Sequence, residues 1–73
     1  MNRELIRQHL DLAERHVAEG EDNLKRQRQI LSALRNGGHA TEKAEKLLFV
    51  FEQSQKLHAA EVARIRDELE YAE

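Results

Sequence analysis

Four side chains in this sequence are of the types that hold transition metals or move protons: His16 and Glu19, three residues apart, and His58 and Glu61 with the same spacing farther along. On a helix that spacing puts both groups of a pair on one face. Should the two stretches lie antiparallel, all four converge. Imidazole and carboxylate from facing helices are the donor set of bundle-borne zinc, iron or manganese sites, so a divalent transition metal is the cofactor to test for. The order of the residues weakens the analogy, because such sites carry glutamate before histidine and here each pair runs histidine first.

The competing reading is structural and is the one we expect. His16 with Glu61, and His9 with Glu68, would be hydrogen-bonded pairs that fix the alignment of a partly buried seam. Asn23, Gln27, Ser54 and Gln55 would form a polar layer beside them, to be satisfied across helices or by water. The two readings differ in sign with pH. Imidazolium paired with carboxylate supports a fold in mild acid, whereas neutral or metal-bound imidazole loses its contribution there.

Other chemistries find less to work with. The chain has no cysteine, and Ser54 has no acid and histidine arranged around it as a triad, so no catalytic function is expected. Gly37-Gly38 suits a helix cap better than a phosphate cradle. The basic run Lys25-Arg26-Gln27-Arg28 is the one place for nucleic-acid phosphates, but no aromatic stacking residues accompany it. With 12 basic against 14 acidic residues the net charge is -2, which provides no general attraction to nucleic acid or anionic lipid.

The elements that must position these groups follow from one interruption. Asn36-Gly37-Gly38 stands near the midpoint of a proline-free sequence with 36% charged and 4% aromatic residues, a composition of long helices or coiled coils. Before it, Ile6, Leu10, Ala13, Val17, Gly20, Leu24, Gln27, Leu31 and Leu34 alternate intervals of four and three. After it, Ala44, Leu48, Phe51, Gln55, His58, Val62, Ile65, Leu69 and Ala72 do the same. Each series draws one stripe along a helix. We expect an all-α, coiled-coil-like antiparallel hairpin forming a single domain over 1–73, with helices at 3–35 and 42–71 around a turn at 36–41. Asn36 and Gly37 should adopt the left-handed conformation, and the Thr41 hydroxyl should cap the second helix.

Folded at the glycines, residues whose numbers add to about 78 become neighbours. Small then meets large, as close packing requires: Ala13 with Ile65, Ile6 with Ala72, Leu34 with Ala44, and Gly20 with His58. Along one flank opposite charges meet, Arg35 with Glu45, Arg28 with Glu52, Glu14 with Arg66 and Arg7 with Glu73, which marks a solvent-facing edge. The other flank holds Leu5, His9, Leu12, His16, Ile30, Leu47, Val50, Leu57 and Tyr71, an apolar stripe wider than two helices cover. Phe49 lies off both stripes.

Because a core of this size supplies only ~3–5 kcal/mol, a homodimer is expected, forming a four-helix bundle about 50 Å long. A different protein partner is the alternative occupant of that flank. The N-terminal residues flank two apolar side chains with charge, and no run approaches a membrane span, so a cytoplasmic protein without a membrane partner is expected.

The segments Leu12-Ala13-Glu14-Arg15-His16-Val17-Ala18-Glu19-Gly20-Glu21, Arg26-Gln27-Arg28-Gln29-Ile30 and Asn36-Gly37-Gly38-His39-Ala40-Thr41, with Phe51-Glu52 and Leu57-His58 beyond them, resemble a family of short uncharacterised bacterial helical-hairpin proteins. The resemblance implies a hairpin and a bacterial source, and it brings no activity with it.

Overall fold

The computed structural model describes residues 2–72. Two helices, α1 (Arg3–Asn36) and α2 (Glu42–Tyr71), pack side by side in a body measuring 57 × 14 × 12 Å, with no strand among the described residues. Neither helix is long and apolar enough to cross a membrane.

Their ends are held in different ways. Asn2 caps α1 by accepting the Glu4 backbone N–H on Oδ1 at 2.8 Å. At the other end the left-handed residue is Gly38 (φ 70°), not Asn36 or Gly37: Asn36 is still helical and Gly37 has φ −84°. The hydrogen bonds explain the shift. Gly38 N–H donates to the Arg35 carbonyl at 3.1 Å and His39 N–H to that of Leu34 at 2.9 Å, the paired closure that needs its left-handed residue between the helix cap and His39.

Thr41 also departs from expectation, since its side chain makes no capping bond. Its backbone is near-helical (φ −115°, ψ −4°) rather than in the extended geometry typical of a side-chain cap, and only its carbonyl engages, accepting from Glu45 N–H at 2.9 Å. The far end of α2 has no basic residue in its last turn, and Arg3 reaches across from α1 to supply one. Its guanidinium donates to the carbonyls of Leu69 (2.7 Å) and Ala72 (3.2 Å), where the helix dipole favours positive charge.

Ile6, Ala13, Val62 and Ile65 form the buried cluster of the open half, with Leu10, Val17, Leu69 and Ala72 packed on it. Large and small residues alternate there as the stripes require. Toward the turn the buried residues are Leu24, Leu31, Ala44 and one polar side chain, Gln27, at 5% exposure. Its Nε2 donates to the Ala44 carbonyl at 3.0 Å, using a lone pair that the helical bond leaves free. Gln55 does the same in the opposite direction, donating to the Val17 carbonyl at 2.8 Å.

Gly20 does not receive His58. Gln55 occupies that space, and a Cβ at position 20 would overlap its amide, so the glycine in mid-helix is there to let Gln55 reach the α1 backbone. The glutamines of the expected polar layer therefore bridge the helices, while Asn23 is exposed and meets only Arg26 within α1, at 3.5 Å. On the charged flank Arg35–Glu45 (3.2 Å) and Arg66–Glu14 (3.7 Å) form, Arg28 and Glu52 form no ion pair, and Glu73 lies outside the described residues.

Candidate functional site

The seam between the helices has two sides. Glu14, Ala18 and Glu21 of α1 face Ala59 and Arg66 of α2 along one groove. On the other, His9, Leu12 and His16 face Glu61 and Arg64 over a floor of Ala13 and Ile65, and nearer the turn Asn23, Arg26, Ile30 and Phe51 surround Gln27. Seven-residue spacing extends this second side along both helices: Leu5 lies on the row of Leu12, Glu19 and Arg26, Leu47 on the row of Ser54, Glu61 and Glu68, and Val50, Leu57 and Tyr71 on the row of Arg64.

Arg64 reorganises the polar part of this flank. Its guanidinium grips Glu61 with two bonds, Nε donating to Oε2 at 3.1 Å and Nη2 to Oε1, and its Nη1 lies 3.5 Å from Glu68. One arginine thus takes both carboxylates that were expected to pair with histidine, and among the described residues no ion pair involves His9 or His16. The physical reason is proximity. Residues three and four apart on one helix meet without any demand on the partner helix, and guanidinium is charged at every relevant pH. The Arg64 hydrogen bonds hold the Glu61 carboxyl below the usual carboxylate range, partly opposed by desolvation, and the same bonds raise the Arg64 guanidinium. The spacing Glu61, Arg64, Glu68 was the signal that could have revealed this clamp.

Relieved of Glu61, the two histidines of the four-residue cluster approach each other. The His16 and His58 ring centroids are 5.7 Å apart with the planes tilted by 38°. His58 is half-buried, and its Nδ1 is withdrawn from solvent without a hydrogen-bond partner. Glu19 is exposed, and among the described residues no three side chains of metal-ligating type gather at one point.

The apolar members of the flank are open to solvent. Leu5, Leu12, Ile30, Leu47 and Val50 are each 43–53% exposed, Leu57 is 72% and Tyr71 81%, and His9 and His16 are exposed beside them. Phe49, at 60%, stands apart from this surface. In the basic run, Lys25, Arg26 and Arg28 are exposed while Gln27 is buried in the seam, so the three cations are spread around α1 on either side of it. No protein-family model matches the chain, and neither a curated protein nor a solved structure matches it.

Proposed function

We propose that this chain is a non-enzymatic interaction or structural module that pairs with a second copy of itself through the flank bearing Leu5, Leu12, Ile30, Leu47, Val50, Leu57 and Tyr71, making a four-helix bundle. One observation carries this reading. Eight large apolar side chains are exposed, and all except Phe49 belong to that flank, whereas the buried apolar core includes two alanines among its seven residues. An isolated hairpin therefore leaves a row of bulky apolar side chains on one flank substantially open to solvent, and an exposed apolar surface of that kind is the ordinary mark of an interface.

Arg64 pairs with Glu61 and approaches Glu68 within its own helix, so a second copy would meet ions that already have partners, placed most favourably at the wet rim of the contact. Sedimentation of the purified chain tests the proposal. A species of twice the 8.5 kDa chain mass is expected at micromolar concentration, and a fully folded monomer under those conditions would remove the reading.

A further inference from the structure

We propose that His16 and His58 are a two-histidine clamp for a divalent transition metal, bound across the seam of a single hairpin and tying α1 to α2. The clamp lies within one chain and does not depend on a second copy.

Geometry comes first. Two imidazoles whose nitrogens each sit ~2.1 Å from one metal ion have ring centres roughly 4.5–6.5 Å apart, from the right-angled to the linear arrangement. The observed 5.7 Å falls in that interval, and the rings come from different helices. Availability comes second. No side-chain or backbone hydrogen bond engages either ring, and of the two nitrogens of His58 it is Nδ1 that is buried, which leaves Nε2 to face a metal. Competition comes third. Glu61, the carboxylate otherwise placed to engage an imidazole here, is committed to Arg64. Imidazole ligands favour zinc, nickel and copper(II), and because His16 is exposed in the single hairpin, water can complete the coordination shell there. Both histidines must be neutral to bind, so acid releases the metal.

Zinc chloride titrated into tag-free protein at fixed protein concentration tests the clamp by calorimetry, thermal unfolding and histidine-ring NMR. One zinc per hairpin is expected, with Tm higher by roughly 5 °C or more at a hundredfold excess over the Kd, reversed by chelator. His16 and His58 ring signals should move while those of His9 and His39 stay. His16→Ala and His58→Gln should each abolish the rise in Tm, and His9→Gln and His39→Gln should retain it. Because His16 is exposed, His16→Ala folds normally and keeps the test sound even if His58→Gln does not fold. No rise in the wild-type protein, or a rise that survives His16→Ala, overturns the inference. Sedimentation with and without zinc reports separately on pairing between copies.

Discussion

The two sides of the seam carry similar residue types and use them in opposite ways. On the groove lined by Glu14 and Arg66 the ion pairs cross between helices, as does Arg35–Glu45 by the turn, so charge there links α1 to α2 and leaves a wet edge. On the histidine side the charges close within α2, through Arg64, and link nothing to α1. Leucines, an isoleucine, a valine and a tyrosine are left exposed there, beside two imidazoles that approach each other across the seam. Where an arginine finds its carboxylate decides whether a flank is finished or open. A pair across the seam covers it, and a pair along one helix leaves the neighbouring apolar rows exposed.

The largest expected effect would break this comparison outright. Leu12→Glu with Val50→Glu should weaken self-association by roughly a hundredfold, the loss of two apolar anchors, while Ala18→Gln with Ala59→Gln on the opposite side leaves it within a few fold. Equal sedimentation of the two variants would erase the distinction between the flanks. Next is the seam that both flanks share. Gln27→Ala removes a buried cross-helix hydrogen bond and the packing around it, for an expected loss of ~1–3 kcal/mol in urea unfolding at fixed protein concentration.

Gly20 and Gln55 provide a finer test of the same seam. Gly20→Ala gains ~1 kcal/mol of helix propensity but displaces the Gln55 amide from the Val17 carbonyl, so the single change should be close to neutral. In a Gln55→Ala background the conflict is gone and Gly20→Ala should stabilise, with a coupling of ~1 kcal/mol between the two sites. Strict additivity would show that the close approach contributes nothing.

The charged pairs should matter least. A double-mutant cycle on Arg35 and Glu45, both well exposed, should return ~0–1 kcal/mol and shrink with added salt. For Arg64 the readout is the dependence on pH. Its bonds depress the folded-state Glu61 carboxyl, so their contribution is present above the ordinary carboxylate value and disappears as pH falls through the depressed one. The stability difference between wild type and Arg64→Gln should therefore narrow on strong acidification, and a gap that widens in acid would contradict the assigned cause.

Much of the architecture was legible from spacing alone. Apolar residues at intervals of four and three, with two adjacent glycines and no proline, leave a helical pair folded at the middle as the arrangement that hides both stripes, because those rules act on backbone and periodicity. The exposed apolar rows were legible for the same reason, since a second series of positions recurs beside the first. Individual partners were not. Arg64 takes Glu61 and Glu68 from the histidines, Gln55 displaces His58 from Gly20, Arg3 caps a helix to which it does not belong, and Gly38 rather than Asn36 or Gly37 turns left-handed. Each is a competition among several groups within reach of one another, and its winner depends on side-chain direction and on fractions of an ångström that residue numbers do not contain. Periodicity alone determined which face each residue occupies; only the packed helices decided which neighbour on that face it holds.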